Sequence, residues 1–186
     1  MIAVRPIAFV VLPGSLLWKV VLVLAGSALI ALGAQVRIPL PFSPVPVTGQ
    51  TFAVLLVAAS LGRLGIASVV AYIVEGWVGL PVFAGGTSGV ATITGPTGGY
   101  LLGFVFAAAI VGLLSERGRD RHFLTALAMM FRGEVAIYVC GLVWLARFPL
   151  PVSVLDAGLI PFIPGDLFKM VLAALALPGA WRLVRR

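Results

Sequence analysis

Long apolar runs separated by short stretches rich in proline, glycine or charge set the pattern of this chain. Apolar residues dominate from about Leu16 to Ala34, from Gln50 to Leu80, from about Thr97 to Ser115, from about Phe123 to Ala146, and from Pro161 to about Val184. These runs lack the alternating polar face of a helix lying on a soluble core, and most are long enough to cross a hydrocarbon layer of roughly 30 Å. The 31 residues from Gln50 to Leu80 are interrupted by Gly62-Arg-Leu-Gly65. As one helix they would measure about 46 Å at 1.5 Å per residue, too long without extreme tilt, so the interruption predicts two spans. The pattern therefore predicts an all-α polytopic membrane protein with six transmembrane helices, forming a single domain over residues 1–186.

Composition agrees with that reading. The chain is 61% hydrophobic and 10% charged, with a mean hydropathy of +1.17, far more apolar than a soluble domain needs. The net charge of +7 would suggest nucleic acid in a soluble protein. Here its distribution gives a different explanation. With six spans Arg5, Lys19, Arg63, Arg117, Arg119, Arg121, Arg182, Arg185 and Arg186 fall on one side, and only Arg37 and Arg147 flank the other. The bias places both termini in the cytoplasm and removes nucleic acid as a partner. Residues Met1 to Pro13 lack the small-residue cleavage site of a secretory leader and are expected to be retained at the interface.

The connections carry their own information. Pro39, Pro41, Pro44 and Pro46 forbid a regular helix after span 1, because each ring removes a backbone donor and disfavours helix in the residue before it. Apolar and non-helical, this segment is expected to fold over the bundle as an irregular outer loop. A second irregular outer loop follows span 3, with Gly85, Gly86, Gly95, Gly98 and Gly99 and the hydroxyls of Thr87, Ser88, Thr92 and Thr94. Its glycines either let backbone approach a ligand or merely turn the chain into span 4. In span 1, Ser27 and Ala31 make a small-xxx-small step that suits close helix contact, within the chain or with a partner.

Ionisable residues inside spans are costly and need a reason. Asp166 and Lys169, three residues apart at the start of span 6, share one helical face. Lysine offers a compact charge with three donors, and aspartate accepts from donors and keeps the lysine charged. Gln50 opens span 2, and Glu75 and Trp77 close span 3, so all of these lie toward the outer face, where Asp166 and Lys169 either belong to a ligand site or form an internal ion pair that only orients span 6. Arg132 and Glu134 lie near the middle of span 5, pairing with each other or other helices, or lining the cavity. His122 belongs to a charged loop, and Cys140 to an apolar run where it packs.

Several chemistries are excluded. No Gly-x-x-x-x-Gly-Lys-Ser/Thr is present, so ATP is not bound by that route. No His/Cys cluster offers a metal site, and no serine or cysteine is placed with His122 for hydrolysis. Neither catalytic residues nor a cofactor is expected.

Four blocks carry a resemblance: Ile38-Pro-Leu-Pro-Phe-Ser-Pro-Val-Pro-Val-Thr-Gly-Gln-Thr51, Gly79-Leu-Pro-Val-Phe-Ala84, Gly95-Pro-Thr-Gly-Gly-Tyr-Leu-Leu-Gly-Phe104 and Pro161-Phe-Ile-Pro-Gly-Asp-Leu-Phe-Lys169. In this order they resemble the BioY family, the biotin-capturing S components of energy-coupling-factor (ECF) transporters. The resemblance implies six helices in the cytoplasmic membrane, a pocket near the outer surface, and biotin as the transported substrate. It also implies a transmembrane coupling protein and two ABC-type ATPases as partners. The family's Asp-x-x-Lys falls on Asp166 and Lys169. Lys169 then meets the biotin carboxylate or the ureido oxygen, Asp166 accepts from ureido N–H groups or pairs with Lys169, and Trp77, Phe83 and Tyr100 supply apolar walls. Two departures stand out: Gly49 replaces a larger apolar residue, and the loop Gly85 to Thr94 offers no arginine or asparagine. The alternatives are an S component for another small anionic vitamin, or a stand-alone secondary transporter with Glu75, Glu134 and Asp166 as proton carriers.

Overall fold

The computed structural model describes residues 6–11 and 15–184. Arg5, Arg185 and Arg186 of the charge pattern, and most of the retained N-terminal segment, lie outside them. In chain order the elements are α1 (Ala8–Val11), α2 (Leu16–Gln35), β1 (Arg37–Leu40), β2 (Ser43–Thr48), α3 (Gln50–Leu61) and α4 (Arg63–Trp77). They continue with α5 (Val90–Thr94), α6 (Gly98–Ser115), α7 (Phe123–Leu145), α8 (Val154–Gly158) and α9 (Ile163–Val184).

Helices α3 and α6 form the centre. Val54, Leu55, Ala58 and Ala59 of α3 are buried with Ala107, Ala108 and Val111 of α6, and α2, α4, α7 and α9 surround them. Without a hydrophobic drive between helices in lipid, close packing depends on small residues. Gly103 meets Ile137 so closely that a Cβ on it would lie 2.8 Å from the Ile137 Cα, and Gly99 lies under Trp144. Large apolar side chains such as Leu17, Leu32, Phe106, Phe131 and Phe168 point outward, as they do when the surroundings are hydrocarbon.

Four stretches are long and apolar enough to cross a membrane: Leu16–Gln35, Gly98–Ser115, Phe123–Leu145 and Val154–Leu183, the last running through α8 and α9. Helices α3 and α4 are shorter, with 12 and 15 residues. The break between them falls inside the Gly-Arg-Leu-Gly interruption. Gly62 takes φ 61°, a left-handed conformation that glycine adopts without steric penalty, and reverses the chain. The two helices then run antiparallel, with Gly65 against Ala58 near the turn and Tyr72 beside Gln50 at the far end.

The proline-rich segment differs from the irregular loop expected. It is a two-stranded antiparallel hairpin, with Arg37 opposite Thr48, Ile38 opposite Val47 and Leu40 opposite Ser43. The register shifts between Ile38 and Leu40, placing Pro39 at the irregularity. A ribbon of only two strands leaves one edge of each unpaired, so a residue without an N–H is tolerated there. Gly49 follows β2 and donates to the carbonyls of Gly33 and Val36, both at 3.0 Å. A Cβ on it would lie 3.0 Å from the Gly33 oxygen, which explains a glycine where a larger residue was expected.

Among the described residues, Arg63, Arg117, Arg119, Arg121 and Arg182 gather at the end of the bundle opposite the hairpin. Arg63 bridges Glu116 at 3.0 Å beside the Gly62 turn. Asp120, in the loop between α6 and α7, is fully buried and accepts from Trp181 Nε1 of α9 at 2.5 Å, while Arg121 covers the Trp181 ring at 4.7 Å.

Candidate functional site

At the hairpin end the chain encloses a cavity of about 310 Å³, near the lower limit of small-molecule sites at roughly 300–1,000 Å³. The hairpin, the first turn of α3, the loop after α4, and the first turns of α6 and α9 enclose it, with Ile137 and Tyr138 of α7 completing the wall. Most of that wall is apolar. Its polar pole is Asp166 and Lys169, which the i, i+3 spacing brings together on α9.

This pair is tied to three other elements. Lys169 Nζ donates to Asp166 Oδ1 at 2.8 Å, to the Thr48 carbonyl at 2.6 Å and to Thr51 Oγ1 at 3.2 Å. Asp166 Oδ1 also accepts from Thr51 Oγ1 at 3.1 Å, and its Oδ2 accepts from the Tyr138 hydroxyl. Side-chain exposure is 4% for Asp166 and 17% for Lys169. A charge at this depth is tolerable only when paired and hydrogen-bonded, and this network supplies both conditions.

Gln50 stands beside the pole. Its Nε2 donates to the Tyr72 hydroxyl at 2.5 Å, and its Oε1 accepts from Thr48 Oγ1 at 3.2 Å, so the amide is held from both ends. Phe83 forms an apolar wall. It is buried edge-on to Tyr72, with ring centroids 5.4 Å apart at 83°, over Gly76, where any Cβ would collide with its ring. Tyr100 faces the cavity while its hydroxyl donates to the Gly158 carbonyl at 2.8 Å. Trp144 Nε1 donates to the Gly95 carbonyl at 2.9 Å, pinning the glycine-rich loop to α7. Among the described residues, no group of three or more His, Cys, Asp or Glu could hold a metal ion.

The BioY family model matches residues 9–186. The chain belongs to the BioY family. It is 41% identical over 158 residues to the probable biotin transporter BioY of Pyrococcus horikoshii, covering 84% of this chain and 92% of that one. It is also 41% identical over 151 residues to the biotin transporter BioY of Thermotoga maritima, covering 80% and 87%. Among solved structures it resembles the S-component for biotin from an ECF-type ABC transporter, with a TM-score of 0.78, 27% identity, and coverage of 91% and 92%. It is therefore a multi-pass membrane protein of a transporter family.

Within this BioY fold, five of the seven binding residues expected from sequence line one cavity: Gln50, Phe83, Tyr100, Asp166 and Lys169. Glu75 and Trp77 do not. Glu75 accepts from Ser27 Oγ at 2.5 Å between α4 and α2, and Trp77 is exposed at the end of α4. Arg132 and Glu134 do not pair with each other, since two residues apart they face different sides of α7. Arg132 is exposed and donates to the Ala128 carbonyl. Glu134 is buried with neither oxygen hydrogen-bonded, in the wall of a second, apolar cavity of about 340 Å³ between α7 and α9. Sequence reasoning missed Tyr138, Thr48, Thr51 and Arg37. For the threonines a signal existed: Thr48-Gly-Gln-Thr51 is a polar cluster in an apolar chain. Tyr138 carried none, because its helix is apolar on every side and has no stripe that marks the inward face.

Proposed function

We propose that this protein is the biotin-capturing membrane subunit of an ECF transporter, taking biotin from outside and delivering it inward with an ATP-driven module. The observation that carries the reading is the cavity's combination of an Asp166–Lys169 pole with apolar walls from Phe83 and Tyr100. Biotin has matching parts: a ureido group that donates and accepts, a thioether ring, and an apolar chain ending in a carboxylate. Three charged side chains line the cavity, Arg37, Asp166 and Lys169, so one positive charge is in excess for an anionic ligand. Membership of a family whose relatives are named biotin transporters supports the same ligand.

The chain acts as one substrate-binding domain with six spans in the cytoplasmic membrane. Helices α3 and α4 are the two short spans, and both termini are cytoplasmic. Arg63, Arg117, Arg119, Arg121 and Arg182, at the end away from the cavity, support that orientation. A transmembrane coupling protein and two ABC-type ATPases supply the energy. Uptake of labelled biotin into vesicles tests the assignment. Transport should require the coupling protein and ATP-hydrolysing ATPases, and unlabelled biotin should compete where riboflavin, thiamine and lipoate do not. Uptake by this chain alone, driven by a proton gradient, would instead establish the stand-alone transporter.

A further inference from the structure

Lys169 and Arg37 both line the cavity and both are cationic, yet their surroundings differ. An ammonium has three N–H donors, and Lys169 has three acceptors in place: the Thr48 carbonyl, Thr51 Oγ1 and Asp166 Oδ1. Its charge is balanced by Asp166 at 2.8 Å. A ligand carboxylate bound at Lys169 would displace one of these acceptors and stand beside the Asp166 carboxylate, a like charge in a poorly solvated place. A ureido group meets no such repulsion, because its carbonyl can accept from Lys169 while its N–H groups donate to Asp166.

Arg37 is the cation left over. It is the first residue of β1 and is exposed at the rim of the cavity. Among the described residues no carboxylate lies within ion-pair distance of it, and its side chain makes no hydrogen bond. Its guanidinium lies against the backbone of Gly85, which takes φ 72° and where a Cβ would collide with the guanidinium. The glycine thus lets a planar five-donor group sit between the hairpin and the loop, where it can meet a carboxylate through two parallel N–H groups.

We propose that Arg37 is the specificity-determining residue that binds the substrate carboxylate at the cavity mouth, with the ureido ring inward at Asp166 and Lys169. The proposal rests on biotin as the ligand and adds the direction in which it lies.

Affinities for biotin and for its neutral carboxamide, measured on the full chain and on Arg37→Gln and Arg37→Lys, test it. The unsubstituted chain should prefer the acid by at least tenfold. Arg37→Gln should weaken biotin at least tenfold, leave the amide within about twofold, and bring the ratio close to one, while Arg37→Lys restores part of the preference. An unchanged ratio in Arg37→Gln would overturn the proposal. So would an equal loss for both ligands, since that marks a residue that only holds the Gly85 loop. If the unsubstituted chain bound neither ligand, the biotin assignment itself would fall. If it bound both and Arg37→Gln left the ratio unaltered, only the orientation would.

Discussion

Lys169 Nζ donates to the carbonyl of Thr48 across 2.6 Å, so α9 holds the cavity hairpin by the last residue of β2. The same ammonium binds Asp166 and Thr51, and any ligand that draws on Lys169 therefore acts on the attachment of the hairpin as well. One side chain thus ties α9, α3 and the hairpin together at the polar pole of the cavity.

Replacing Lys169 by alanine removes the pole's only cation and leaves Asp166 buried without its counter-charge. Biotin affinity should fall at least tenfold, about 1.4 kcal/mol or more. Isothermal titration of the purified variant measures this, and an unchanged affinity would reduce the pair to a structural brace of α9.

Glu134 is 3% exposed, and neither carboxyl oxygen has a hydrogen-bond partner. A buried polar group without partners costs about 1–3 kcal/mol, so Glu134→Leu should raise thermal stability and preserve biotin binding. Melting temperature and titration of the variant read the two effects. A stable Glu134→Leu protein that binds biotin but no longer supports uptake would make the carboxyl part of the transport step.

Asp120 supplies a pH dependence. Burial raises its carboxyl above the ordinary value of 3.8, against the opposing effects of the Trp181 hydrogen bond and Arg121. With a folded-state value above the unfolded one, the protonated form is favoured in the folded protein. The resulting stabilisation is full below the unfolded value and is lost as pH rises through the folded one. Asp120→Asn does not titrate and keeps an acceptor for Trp181. Its melting temperature should match the parent near about pH 3, below the unfolded value, and exceed it near about pH 8. A difference that shrinks with rising pH would contradict the assignment.

How far the fold could be read from the sequence follows from what each residue has to do. The Gly62 break was visible because only a glycine-bounded interruption could divide a run too long for a bilayer. The non-helical character of residues 37–48 was visible because proline forbids helix. The hairpin was not, because strand pairing depends on register with a partner, and proline at a bulge or free edge leaves no mark in single-residue preferences. The pole at Asp166 and Lys169 stood out because charge is rare in such a chain. The facing direction of Glu75, Trp77 and Tyr138 did not, since a membrane helix is apolar on every side and gives no stripe from which inward and outward can be told. Thr51 and Tyr138 reach Asp166 over separations of 115 and 28 residues, contacts that only the packing of three helices, α3, α7 and α9, creates.

Titration of the purified, unsubstituted chain with biotin tests the central claim most directly. Saturable binding of one biotin per chain with a dissociation constant below a micromolar, about −8 kcal/mol or stronger, is the expected result. Absence of binding at micromolar biotin, or equal binding of riboflavin or thiamine, would contradict the account.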